Sequence, residues 1–219
     1  MTIQLVFLGA GGGSVEVAEA LALSAGGGTA AVTLLGFLDD DERLPGAPAL
    51  ALPLLGGTGM APELCRRSAD LRFVLGIASD KQMRARDALV ARLALPAERW
   101  FTFVHASAQV SPSARLGAGA LVLQQALLGP HCVLGDLVRV SPRACIGHDT
   151  VIGSRAVVAP AATVSGRVRI GEGAYIGAAS VIAPEVVIGA GAVVGLGAVV
   201  LRDVPPGVTV VGNPARALR

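Results

Sequence analysis

Only three imidazoles exist in this 219-residue chain: His105, His131 and His148. Imidazole is the side chain that exchanges a proton near neutral pH, so each is a candidate acid or base. His148 stands in C-I-G-H-D-T-V-I-G, followed at once by Asp149. A carboxylate beside a histidine can orient the ring and stabilise the imidazolium that forms when the ring takes a proton. His131 lies in G-P-H-C-V-L-G-D, and His105 in V-H-A-S-A. His105 reads first as a packed or capping residue at a domain junction. From its residues alone, His148 is either a general base or a solvated turn histidine. The histidines are separated by 26 and 17 residues, and Cys65, Cys132 and Cys145 show no metal-ligand spacing. No metal site is expected.

The element that must position these histidines has a period of six. Val104 and every sixth residue after it, to Val200, is Val, Leu or Ile at all 17 positions. Four residues after each of the first 16 comes a small or β-branched residue, among them Ala126, Cys132, Thr150 and Ser180. Neither a helix nor a simple alternating strand has this period. A short strand and a turn, repeated, do. Three such units close one triangular coil of 18 residues. On that count His131 and His148 share one corner, a coil apart, near one strand spacing. Gly follows the aliphatic at 9 of the 17 positions, which is read as freedom for backbone angles that a Cβ would forbid. The residue before the aliphatic faces outward, yet 12 of these 17 are apolar. So much exposed apolar surface points to association with other chains. The pattern resembles the left-handed parallel β-helix of hexapeptide-repeat acyltransferases. The resemblance implies the handedness and a trimer. The γ-class carbonic anhydrases, metal enzymes of similar repeat, use an H-x4-H pair that is absent here.

The first hundred residues alternate strand and helix signals. Ile3–Leu8, Ala31–Leu38 and Leu71–Ile77 read as strands, and Ser14–Ser24 as a helix. Ser79 and Gln82 form a capping box before a helix through Leu93. Gly9-Ala10-Gly11-Gly12-Gly13 separates the first strand from the first helix, and Asp39-Asp40-Asp41 ends the second strand. Strand, Gly loop, helix, strand, acid is the order of a Rossmann-like half, short enough to suit a mononucleotide. Glycines let backbone N–H groups approach a diphosphate at a helix N-terminus. Asp39 and Asp40 can accept hydrogen bonds from a ribose or a base. The alternatives are a plain turn for the glycines and a solvated turn for the acids.

Composition excludes several classes. The chain is 53% hydrophobic and 16% charged, too apolar for a disordered polymer. Its net charge of +2 does not suit nucleic-acid binding by bulk electrostatics. Residues 104–219 hold 9 basic and 5 acidic residues, a mild bias toward anionic small molecules. Leu44–Pro62 is interrupted by prolines and Val186–Leu201 is too short for an ordinary span, so no membrane segment is expected. No signal peptide is read, and a cytoplasmic protein is expected.

Taken end to end, the chain resembles the NeuD/PglD-type bacterial sugar acetyltransferases. The matching stretches are G-A-G-G at Gly9–Gly12, F-L-D-D at Phe37–Asp40, V-H-A-S-A at Val104–Ala108, I-G-H-D-T-V-I-G at Ile146–Gly153 and V-G-N-P-A at Val211–Ala215. The resemblance implies an α/β Rossmann-like nucleotide-sugar-binding domain (1–98), an all-β left-handed β-helix (99–203) and a C-terminal tail (204–219). It implies acetyl-CoA as co-substrate and His148 as the base that deprotonates the attacking sugar amine, aided by Asp149. Gly166, one coil above His148, would donate its N–H to the oxyanion. Val157, Gly166, Ala178, Gly195, Leu196 and Gly197 would line the cofactor path, in a groove between neighbouring β-helices. Gly9, Gly11, Gly12, Gly13, Asp39, Asp40 and Gly76 would hold a UDP- or GDP-linked 4-amino-4,6-dideoxy sugar, whose sugar reaches toward the repeat. The family's loop histidine falls on Gly13 and its cofactor histidine on Val157, so both are replaced. O-acetylation of a sialic-type sugar is the second enzyme reading. A non-catalytic nucleotide-sugar-binding or scaffold protein is the reading of another class.

Overall fold

The computed structural model describes residues 2–24, 32–44 and 46–218. It divides into two compact units, Met1–Phe101 and Thr102–Arg219. The first contains β1 (Ile3–Leu8), α1 (Gly12–Ser24), β2 (Val32–Leu38), β3 (Leu54–Gly56), α2 (Ala61–Arg67), β4 (Leu71–Leu75) and α3 (Met83–Leu93). Its four strands are all parallel, in the order β3-β2-β1-β4. Central β1 buries Leu5, Val6, Phe7 and Leu8 completely, as a continuous apolar run in a covered parallel sheet should. Ala31, expected to open β2, lies outside the described residues.

Two local expectations change. Helix α1 starts at Gly12 rather than Ser14, because the Ser14 and Val15 N–H groups both close onto the Gly11 carbonyl. The Ser79 capping box does not form. The Gln82 N–H is taken by the Ser79 backbone carbonyl at 3.0 Å, so a 3-10 turn over Asp80–Gln82 precedes α3. Strand β3 and helix α2 were not expected from the Pro-rich stretch around them.

The second unit is the repeat. Seventeen two-residue strands follow one another every six residues, from β5 (Phe103–Val104) to β21 (Val199–Val200). Each ends on the aliphatic picked out by the period. Every third strand pairs in parallel, which makes three sheets. Backbone bonds run from coil to coil, as from the Gly147 N–H to the Val164 carbonyl at 2.7 Å. The aliphatics and the small residues four places on form one interior, in which even Thr150 and Ser180 are wholly buried. This stack of parallel strands fits a left-handed parallel β-helix of hexapeptide repeats. Residues 204–219, expected as a tail, extend the eight-stranded sheet through β22 (Thr209–Val211) and antiparallel β23 (Arg216–Ala217). Among the described residues no helix is long and apolar enough to cross a membrane.

The repeat's glycines serve a different purpose from the one expected. Positive φ falls three residues after the aliphatic, mostly on other residue types: Gln125, His131, Leu137, Arg143, Asp149 and Arg155 all lie between 57° and 62°. The glycines directly after the aliphatic are not left-handed. There, a Cβ would strike the next coil: at Gly171 it would stand 2.4 Å from the Ala190 nitrogen. Close approach of coils is what excludes the side chain. Gly171→Ala should therefore cost about 1–3 kcal/mol as overpacking. Gly191→Asn should cost less than about 1 kcal/mol, since asparagine tolerates that backbone and Gly191 faces open space at φ +63°. Denaturant midpoints of the two variants check the contrast.

Candidate active site

The corner holding His148 is the turn between β12 (Cys145–Ile146) and β13 (Val151–Ile152). Gly147 lets the coil above close down: a Cβ there would lie 2.5 Å from the Gly166 nitrogen. Asp149 then takes the left-handed conformation, its N–H donating to the Pro130 carbonyl at 2.9 Å. Its carboxylate is shared by two imidazoles. Oδ2 is 2.7 Å from His148 Nδ1, and Oδ1 is 3.2 Å from His131 Nδ1. These bonds, the one from His148 foremost, hold the Asp149 carboxyl below its usual range. It is therefore ionised at neutral pH and can only accept. Each facing Nδ1 must carry the hydrogen, which leaves the lone pair of a neutral ring on Nε2.

Nε2 of His148 faces Gly166. A Cβ at residue 166 would stand 2.6 Å from it. The Gly166 N–H donates to no acceptor among the described residues. Overhead, the Arg167 N–H donates to the His148 carbonyl at 2.8 Å, while the Arg167 guanidinium is committed to Glu185 at 2.8 Å. Half of the His148 side chain remains exposed. The corner thus offers an imidazole nitrogen packed against a residue whose N–H is uncommitted, parts that acyl transfer can use.

Of the residues expected on the cofactor path, Gly166 stands at this corner and the others lie elsewhere. Ala178 and Leu196 are stacked on the corner between β17 (Tyr175–Ile176) and β18 (Val181–Ile182), with the Gly197 N–H on the Ala178 carbonyl at 2.8 Å. The six-stranded sheet separates this corner from that of His148. Within one chain, Ala178, Gly195, Leu196 and Gly197 are therefore not brought to the imidazole. Leu196 is strongly exposed, and the N–H groups of Ala178 and Leu196 have no acceptor among the described residues. Val157, on β14 (Val157–Val158), is 1% exposed, so its side chain is buried rather than displayed to a ligand. His105 bonds its own turn through Ser107, in line with the capping reading.

In the first unit the Gly loop and the paired acids do meet. Gly9, at φ +93°, turns the chain out of β1, and the Ala10 N–H donates to Asp39 Oδ2 at 2.7 Å. The Gly11 and Gly12 N–H groups have no acceptor among the described residues. Gly76 is buried and works by packing: a Cβ there would collide with Ser14. Asp40 accepts from the Thr58 N–H and hydroxyl, both at 2.8 Å, and from Arg92 at 3.1 Å. Thr58 above all, with help from Arg92, holds the Asp40 carboxyl below its usual range. Gly9, Asp39, Asp40, Thr58 and Arg92 line a cavity of about 360 Å³. Thr58 and Arg92 were not expected. They lie 18 and 52 residues from Asp40, and no local pattern marks them. Among the described residues no group of three His, Cys, Asp or Glu side chains could hold a metal.

Comparison with known proteins gives these features a setting. The family model for the bacterial transferase hexapeptide (six repeats) matches residues 167–202. The acetyltransferase domain of PglB from Neisseria gonorrhoeae is 31% identical, with a TM-score of 0.83, over 98% of this chain and 99% of that one. The chain belongs to the hexapeptide-repeat family of bacterial sugar acetyltransferases. PerB from Caulobacter crescentus, solved with CoA and GDP-perosamine, is 30% identical over 99% of this chain and 97% of that one, with a TM-score of 0.84. WeeI from Acinetobacter baumannii, at 24% identity and a TM-score of 0.58, shares the fold. The search of curated proteins found no match. For this acetyltransferase the close pairing of residues 148 and 166 makes a direct test. Gly166→Ala should leave the protein folded but push the imidazole aside. A displacement of that kind costs on the order of 100-fold in rate, measured as acetyl-transfer kcat beside an unchanged circular dichroism spectrum.

Proposed function

We propose that this acetyltransferase moves the acetyl group of acetyl-CoA to the amine of a nucleotide-linked 4-amino-4,6-dideoxy sugar, with His148 as general base. One observation carries the reading: an imidazole tethered through Nδ1 to an ionised carboxylate at 2.7 Å, its Nε2 packed against Gly166, whose N–H has no acceptor among the described residues. Acetyl-CoA supplies an activated thioester carbonyl. Nε2 accepts a proton from the attacking amine as the C–N bond forms, Asp149 stabilises the imidazolium, and collapse of the adduct breaks the C–S bond, the imidazolium returning the proton to the thiolate to release CoA. The Gly166 N–H donates to the oxygen on which charge develops. The relative PerB, bound to CoA and GDP-perosamine, supports a nucleotide-linked amino sugar and the N- over the O-acetyl reading.

The first unit, read as Rossmann-like from its parallel β3-β2-β1-β4 order, holds the UDP or GDP end. Gly11 and Gly12 offer N–H groups to the diphosphate, and Asp39 keeps acceptor capacity on both oxygens for ribose or base. Asp40 instead orders the cavity wall through Thr58 and Arg92. The free N–H groups of Ala178 and Leu196, a coil apart beside Gly195 and Gly197, fit the carbonyls of a pantetheine arm. They stand on a different corner from His148, so a second copy brings one corner to the other. The exposed Leu127, Val133, Val151, Val181 and Val187 on the sheets beside the His148 corner suit that contact. On this reading the protein is a homotrimer, as the family resemblance implies, and works in the cytoplasm.

Thiol release from acetyl-CoA, followed with a panel of nucleotide-linked amino and hydroxyl sugars, tests the assignment. His148→Ala should lose at least about 100-fold in kcat. Release with amino sugars alone supports N-transfer. Nucleotide-sugar binding without release would make the protein a binding module, and an unimpaired His148→Ala enzyme would remove the base. The bonds from His148 and His131 hold the Asp149 carboxyl below the usual carboxylate range, so it stays ionised at any ordinary assay pH and its protonation cannot produce an activity loss near neutrality. Asp149→Asn should lower kcat at least ~10-fold, through the tautomer it no longer dictates.

A further inference from the structure

Asp149 is bonded to two imidazoles, and only His148 has a part in the proposed reaction. The other, His131, approaches from the coil below. Residues 131 and 149 are one coil apart and share the same left-handed backbone, both at φ 58°, so their side chains leave the turns in the same direction and meet. The His131 N–H is itself held by Ser113 Oγ at 3.0 Å. From the coil above, the only charged neighbour in this column is Arg167, and Glu185 draws its guanidinium away. The Asp149 carboxylate is thus left to the two histidines.

A carboxylate on an exposed turn is free to swing into water. Its bond to His148, the adjacent residue, ties it only to its own turn. A bond from another coil fixes it against the ladder. We propose that His131 is a positioning residue: by donating Nδ1–H to Asp149 Oδ1 it presents Oδ2 to His148 and so holds His148 in the tautomer whose Nε2 carries the lone pair. The fold does not require histidine here. Ala161 and Ala179 occupy the same place in other turns.

The kinetic part rests on His148 being the base; the tautomer part does not. Histidine-15N-labelled wild type, His131→Ala and His131→Asn are compared by long-range 1H–15N correlation, with kcat and KM for acetyl-CoA and acceptor measured on each. In the wild type both rings should show hydrogen on Nδ1. In His131→Ala, His148 should shift toward the Nε2–H form and kcat should fall about three- to tenfold, the share of one hydrogen bond, with KM unchanged. Asparagine, an N–H donor that tolerates the left-handed backbone, should restore both. An unaltered His148 tautomer in His131→Ala overturns the proposal whatever the rates do. A shifted tautomer with wild-type kcat would uphold the positioning and count against His148 as the base.

Discussion

Everything in the second unit depends on the hydrogen-bond ladder that locks each coil onto the next. A strand of two residues has almost no stability alone. Here each strand inside a sheet is paired above and below in parallel, so register is set by the stack. Residue i then stands under residue i+18, without slippage, from Phe103 to Val200. The interior aliphatics supply burial, and the glycines after them let the coils approach. The turns are released from structural duty. Their left-handed position carries Gln, His, Leu, Arg, Asp, Ala and Glu alike.

That freedom is where the chemistry sits. A turn residue in this stack meets three neighbours: its own sequence neighbour, the turn below and the turn above. At Asp149 these are His148, His131 and Arg167, of which the last is turned to Glu185. The same rule sets Gly166 over His148. It also places Ala178 and Leu196 on another corner, which is why the proposed reaction calls for two copies. In the first unit a different economy holds. Four parallel strands bring the Gly loop and the acids together, and side chains far apart in sequence finish the cavity.

Much of this could be read from the residues. The period of six marked all 17 strands, because a buried aliphatic at each strand end is a condition of the fold. The shared corner of His131 and His148 was read from their spacing, but the bond that forms joins His131 to Asp149, 18 residues on, and was not anticipated. The role of the glycines was misjudged, since composition alone cannot separate a need for positive φ from a need for space. The separation of Ala178 from His148 was available in the numbers: 30 residues is not a multiple of 18. Thr58 and Arg92 left no such trace. Their contact with Asp40 depends on how β3 and α3 pack, and β3 is only three residues long in a Pro-rich stretch.

The proposed chemistry depends on where the acceptor amine lies. A crystal structure of the assembled protein with CoA and a nucleotide-linked amino sugar measures this directly. The sugar nitrogen should lie within about 2.6–3.2 Å of His148 Nε2, hydrogen-bond reach for a general base. The thiol should arrive from the corner of Ala178 and Leu196 of another copy. A sugar nitrogen far from Nε2, with a different side chain at hydrogen-bonding distance, would contradict it.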